Sequence, residues 1–151
     1  MKLRVLIVED EAAIRLALTG LLRREGYDVE QAESGDTALA ILAADEAYDL
    51  VLTDLALGAG PSGMDVLGAV REFQPETPVV MITAHGNVEA AVRALKLGAF
   101  DFVSKPLDVA DLRKLVNQAL KLSARRGRGE TVRTMRLLGT SQPMDRLRAL
   151  I

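Results

Sequence analysis

The sequence predicts an α/β fold: an open, doubly wound, five-stranded parallel sheet in the order 2-1-3-4-5. Three observations predict it. Apolar, β-branched runs alternate strictly with stretches of helical periodicity, which favours parallel strands joined by right-handed crossovers. Five such runs are too few to close a barrel. The first and third runs are apolar at nearly every position, as interior strands covered by helices on both faces must be.

In chain order, Leu3 to Val8 reads as the first strand. Ile14, Ala17, Leu18, Leu21 and Leu22 recur at helical spacing and write the first helix, which Gly26 stops. Tyr27 to Ala32, Leu50 to Thr53 and Val79 to Thr83 supply the next three strands. Val88, Ala91, Val92 and Leu95 make an amphipathic helix that ends at Gly98, and Phe100 to Ser104 follows as the fifth strand. Val109, Leu112, Leu115, Val116, Ala119 and Leu120 write the last helix, with Asp108 as its N-cap.

A chain of 151 residues, 49% hydrophobic and 26% charged, has material for one ordinary core and a short appendage. The expected organisation is a domain over 1–122, a polar, Arg- and Gly-containing linker over 123–137, and a truncated second domain from 138 to 151. Charge divides at the same place. Residues 1–122 carry 12 Lys and Arg against 19 Asp and Glu, giving −7, whereas 123–151 carry 7 Arg against Glu130 and Asp145, giving +5. Those arginines lack interleaved aromatics, so no direct nucleic-acid contact is expected of them. There is no leader-like start and no apolar run near ~18 residues, so the expected location is cytoplasmic, without membrane contact. The absence of Cys excludes disulfides and thiolate metal sites, and a single His excludes a multi-histidine centre. Any metal must be held by oxygen.

In a doubly wound sheet the ligand site lies outside the carboxyl ends of the strands, at the switch between strands 1 and 3. Glu9 and Asp10 close strand 1, Asp54 closes strand 3, Thr83 closes strand 4, and Lys105 follows strand 5. Clustered carboxylates repel one another, a cost that a divalent cation removes, and oxygen ligands with water suit Mg²⁺. Beside such a cation Asp54 is a nucleophile toward phosphorus, Lys105 a second positive contact, and Thr83 a hydroxyl donor to a phosphoryl oxygen. Taken singly, the same residues have ordinary uses: Asp10 or Glu11 as a helix cap, Thr83 as a strand end, Lys105 as a solvated charge. Five of them on one sheet edge argue for a site.

Val5-Leu-Ile-Val-Glu-Asp-Glu, Leu52-Thr-Asp-Leu, Met81-Ile-Thr-Ala-His and Phe102-Val-Ser-Lys-Pro resemble the receiver domains of bacterial two-component response regulators, over residues 3 to about 121. The resemblance implies the flavodoxin-like (βα)5 receiver fold. It also implies Mg²⁺ on Glu9, Asp10, Asp54 and the Ala56 carbonyl, and a phosphoryl group passed to Asp54 from a sensor histidine kinase. Thr83 and Phe102 become a switch pair that remodels the face of helix 4, strand 5 and helix 5, through which such domains form homodimers. The Lys105-Pro106 bond is often cis in this family. Thr83-Ala-His-Gly and Gly98-Ala-Phe-Asp-Phe are similar to the receivers of nitrogen-regulator-type activators that work with an alternative sigma factor. Leu138-Gly-Thr-Ser-Gln-Pro-Met-Asp-Arg-Leu resembles the opening of the AAA+ ATPase domain of such proteins, which implies ATPase and DNA-binding domains downstream.

The family's short turn after the phosphorylated residue is replaced here by a longer loop, Leu55 to Gly63, which reads as a flexible, Gly-rich lid. It contains a literal Gly58-x-Gly60-x-x-Gly63, but this follows the third strand and lacks the acidic partner of a dinucleotide site. Two other functions stay open. A haloacid-dehalogenase-like phosphatase shares the Asp, Thr and Lys but needs an acid two residues after the nucleophile, where this chain has Ala56. A divergent receiver acting by protein contact alone needs no phosphorylation. The expected role is thus a signalling domain, not an enzyme. His85, the only histidine, reads as a loop side chain.

Overall fold

The computed structural model describes residues 2–44 and 47–128, with side chains to 122. Five strands, β1 (Arg4–Val8), β2 (Asp28–Ala32), β3 (Leu50–Asp54), β4 (Val79–Thr83) and β5 (Asp101–Ser104), alternate with five helices, α1 (Ala12–Arg24), α2 (Gly35–Ala43), α3 (Gly63–Phe73), α4 (Val88–Lys96) and α5 (Val109–Arg128). All pairings are parallel and the order is β2-β1-β3-β4-β5, as the alternation predicts.

The pleat of β1 divides the interior in two. Val5 and Ile7 join Leu50, Leu52, Val80 and Ile82 against α1 and α5, while Leu6 and Val8 join Val51 and Met81 against α2, α3 and α4. Every residue of β3 and β4 is buried. This two-sided burial is why those runs are apolar without alternation, and it fixes the sheet edge on which the site is built.

Helix ends follow local chemistry. Asp108 accepts hydrogen bonds from the backbone N–H of Ala110 at 2.9 Å and of Asp111 at 3.2 Å, as its expected capping role requires. Ser62 and Asp65 form a reciprocal capping box at the start of α3. α1 differs: Glu11 occupies its N-cap position but makes no side-chain capping bond.

Two features are not given by the sequence pattern. The apolar stripe Val88, Val92, Leu95 does not face the core; α4 buries only Ala91 and Ala94, and the stripe points outward. Helical structure also continues to Arg128, six residues into the segment expected to be a linker, because Ala and Arg are strong helix formers that need no apolar partner to extend a helix already nucleated. Met1–Leu120 is one compact unit and Lys121–Ile151 a second. The remainder of the expected linker, and the expected ATPase start at 138–151, lie outside the described residues.

Candidate functional site

The carboxyl ends of β1 and β3 are neighbours, since Val8 pairs with Thr53. The next residues, Glu9 and Asp10 after β1 and Asp54 closing β3, offer carboxylate oxygens that all lie within 4.8 Å of one another. Lys105, on the peptide after β5, reaches into this cluster. Its Nζ stands 2.8 Å from Asp54 Oδ2, 3.8 Å from Glu9 Oε1 and 3.9 Å from Glu11 Oε1. The Lys105-Pro106 bond that carries it is cis.

Asp54 is 3% exposed, and both of its oxygens are engaged. Oδ2 accepts from Lys105, and Oδ1 accepts from the backbone N–H of Ala56 at 3.2 Å. Although burial works against the charged ammonium, the hydrogen bond and charge of Asp54, with Glu9 and Glu11, raise the Lys105 pKa above its ordinary value. Lys105 therefore stays cationic at neutral pH.

Glu9 is fully buried. Burial, with the charge of Asp54 adding to it, pushes its carboxyl up to about 7 against the lowering effects of the Glu11 N–H and Lys105. Oε2 accepts from the Glu11 N–H at 3.1 Å, but Oε1 has no hydrogen-bond partner among the described residues. A buried carboxylate oxygen left without a donor, facing two further carboxylates, is the chemistry a hard divalent cation satisfies. The residues present fit Mg²⁺.

Thr83 is buried at the end of β4, but its hydroxyl donates to the Val103 carbonyl at 3.4 Å and not to the carboxylate cluster. Phe102, two residues before Ser104, is half-buried against the α2–α3–α4 side of the core. Four of the expected residues thus meet directly, and the expected switch pair stands apart from them, Thr83 on the neighbouring β4 and Phe102 on β5 beyond it. His85 lies in the loop after β4, as expected, and is exposed.

The loop after Asp54 is held at several points, which corrects the expectation of a free lid. Leu57 is buried in the core, the Gly63 N–H donates to the Leu55 carbonyl at 2.9 Å, and Pro61 packs on Gly35 at the start of α2 with no room for a Cβ between them. Gly58 and Gly60 adopt positive φ, and Gly63 lies so close to the Asp54 backbone carbonyl that a side chain there would collide with it. These contacts account for the Gly-x-Gly-x-x-Gly spacing without a nucleotide.

Two further residues shape the site without having been signalled as part of it. Glu11 supplies both the N–H on Glu9 and a third carboxylate near Lys105. Arg15 donates from Nη1 to the Glu9 carbonyl at 2.9 Å. The available signal was positional: a basic residue one turn into a helix that follows three consecutive acids.

The family model for the response regulator receiver domain matches residues 5–117. The response regulator protein PilR of Pseudomonas aeruginosa is 44% identical over 145 residues, which are 96% of this chain and 32% of that protein. The nitrogen assimilation regulatory protein NtrX of Azorhizobium caulinodans is 38% identical over 97% of this chain and 33% of its own length. The chain thus spans about a third of the length of these curated relatives. The solved receiver domain of NtrX from Brucella abortus superposes with a TM-score of 0.73 at 39% identity, covering 78% of this chain and 98% of that one. NtrX from the same organism, solved in complex with ADP, gives a TM-score of 0.80 at 38% identity over 93% of this chain and 31% of its own.

Proposed function

This chain belongs to the response regulator receiver domain family, and from that premise we propose that it is a phosphorylation switch whose acceptor is Asp54. The observation that carries the proposal is the contact of Lys105 with Asp54 inside a cluster of three carboxylates, one oxygen of which is buried without a donor. Glu9, Asp10 and Asp54, with the Ala56 carbonyl, would hold Mg²⁺. When bound, the ion neutralises charge on the incoming phosphoryl oxygens.

The donor is the phosphohistidine of a sensor kinase. An Asp54 oxygen attacks phosphorus, an acyl-phosphate P–O bond forms, and the donor P–N bond breaks, its electron pair and a proton from solvent ending on the leaving imidazole. Lys105 moves from the Asp54 carboxylate to a phosphoryl oxygen. Thr83, whose 3.4 Å bond to Val103 is long and easily exchanged, turns its hydroxyl to the same group, and Phe102 follows into the space beside it. The face of α4, β5 and α5 is remodelled and pairs with a second copy. Ala56 offers no proton-transfer group two residues beyond Asp54, which favours a lasting acyl phosphate over rapid hydrolysis and a signalling role over an enzymatic one.

The parent protein contains residues 1–122 as receiver, 123–137 as linker and 138–151 as the start of an AAA+ ATPase domain, with a DNA-binding domain beyond. The greater length of the curated relatives and the nucleotide held by solved NtrX support this organisation. It acts in the cytoplasm as a transcription activator working with an alternative sigma factor; no described helix is long and apolar enough to cross a membrane.

Incubation with Mg²⁺ and acetyl phosphate, followed by intact-mass measurement, tests the acceptor. One phosphoryl group is expected on wild type and none on Asp54→Asn. Stable modification of Asp54→Asn sinks the assignment.

A further inference from the structure

We propose, resting on the metal-dependent phosphorylation above, that Arg15 is a positioning residue that holds the metal-ligand turn Glu9–Asp10 in place from outside the carboxylate cluster. β1 ends at Val8, yet the Glu9 N–H still donates to the Ala32 carbonyl at 3.0 Å and so extends the pairing with β2 by one step. Beyond Ala32 the chain leaves the sheet toward α2, whose N-cap is Ser34. The Glu9 carbonyl therefore needs a partner the ladder does not supply. Arg15 is that partner, at 2.9 Å from Nη1.

The guanidinium is itself held. Its Nε donates to Gln31 Oε1 at 3.3 Å, and Gln31 sits on β2 opposite Ile7, next to the same strand ends. The Arg15 carbonyl accepts from the buried Thr19 hydroxyl at 2.7 Å, and the Arg15 N–H donates to the Glu11 carbonyl at 2.9 Å. Three bonds then close a circuit around Asp10: Glu11 N–H to Glu9 Oε2, Arg15 N–H to the Glu11 carbonyl, and Arg15 Nη1 to the Glu9 carbonyl.

α1 lacks a side-chain cap, so this circuit stands where a capping residue ordinarily fixes the first turn. The arrangement also suits the charges. A half-buried cation fixed one turn from three consecutive acids offsets part of their mutual repulsion without touching the oxygens that take the metal. Arg15 contacts none of the reacting atoms; its effect runs through the backbone of Glu9.

Calorimetric titration of the full chain with Mg²⁺ tests this on wild type, Arg15→Ala, Arg15→Lys and Tyr27→Phe. The last is a comparator that loses the Tyr27–Asn117 hydrogen bond of 2.9 Å, which involves none of the circuit's residues. Arg15→Ala is expected to weaken Mg²⁺ binding about 10- to 100-fold, the usual effect of removing a group that orients a ligand. Arg15→Lys recovers part of the loss, and Tyr27→Phe binds as wild type. The acetyl-phosphate labelling rate of Arg15→Ala returns to near the wild-type value at saturating Mg²⁺. Unchanged Mg²⁺ affinity in Arg15→Ala overturns the inference, as does an equal loss in Tyr27→Phe or a labelling defect that saturating Mg²⁺ leaves in place. A wild-type chain that binds no Mg²⁺ overturns the functional reading and this inference with it.

Discussion

Glu9 is a fully buried carboxyl raised to about 7 from an ordinary 4.5. Between those two pH values the metal-free folded protein keeps a proton that the unfolded chain has already released. The Glu9 contribution to stability is thus fully present below pH 4.5 and is lost as the pH rises through about 7. Mg²⁺ at the proposed site would have to displace the same proton, so its affinity is expected to climb with pH over this window and to level off above it. Denaturation midpoints measured from pH 5 to pH 8 are expected to fall in the metal-free protein and to fall less with Mg²⁺ present. Glu9→Gln removes the proton-linked slope and raises metal-free stability at pH 8 by about 1–3 kcal/mol. Equal slopes in wild type and Glu9→Gln would falsify this assignment. The carboxylates themselves were legible in the sequence, because strand ends at a known switch point name residues. Arg15 left only the positional signal of a base one turn beyond three acids, because a hydrogen bond to another residue's backbone carbonyl leaves no motif.

At the scale of elements, the junction of β3 with α3 is where sequence and geometry bear most closely on each other. Gly63 opens α3 directly against the Asp54 backbone carbonyl, and a methyl group there must push the helix start or the strand end aside. Gly68, five residues on in the same helix, has open space around it. Gly63→Ala is expected to destabilise by about 1–3 kcal/mol or more and to slow phosphorylation by displacing Asp54. Gly68→Ala should stabilise by about 0.5–1 kcal/mol, the ordinary gain of replacing glycine inside a helix. Urea unfolding of the two variants checks both, and equal effects at the two sites contradict the geometry. The glycine spacing was visible in the sequence while its cause was not. A run of Gly, Pro and Ser predicts a turn, but only the fold shows that Leu57 enters the core and that Pro61 seats on Gly35, turning an expected lid into a held wall of the site.

For the whole molecule, sheet order and the placing of helices follow from alternation and from apolar strands, and these were legible because burial on both faces leaves a direct compositional trace. The outward stripe of α4 was not, since helical periodicity reports an apolar face without saying what covers it. Val88, Val92, Leu95 and, just past the helix end, Leu97 are 65%, 42%, 39% and 54% exposed, a concentration of apolar surface along α4 beside β5. Arg93 and Lys96 adjoin it on α4, and Asp101, Asp108 and Asp111 lie on β5 and at the start of α5. An apolar strip flanked by basic groups on one element and acidic groups on the next suits the proposed pairing of two copies, in which a twofold axis would set each copy's α4 against the other copy's β5–α5 edge. This is the edge that the proposed switch at Thr83 and Phe102 would remodel when Asp54 is phosphorylated. Val92→Glu and Leu95→Glu, both at exposed positions, should change unfolding stability by no more than about 0.5 kcal/mol and leave phosphorylation by acetyl phosphate intact. Each should weaken phosphorylation-dependent dimerisation at least about tenfold in sedimentation equilibrium, because a carboxylate at the centre of an apolar contact must be desolvated without a partner. If both variants dimerise like wild type when phosphorylated, the switch acts through another surface, and the exposed stripe of α4 has no part in pairing.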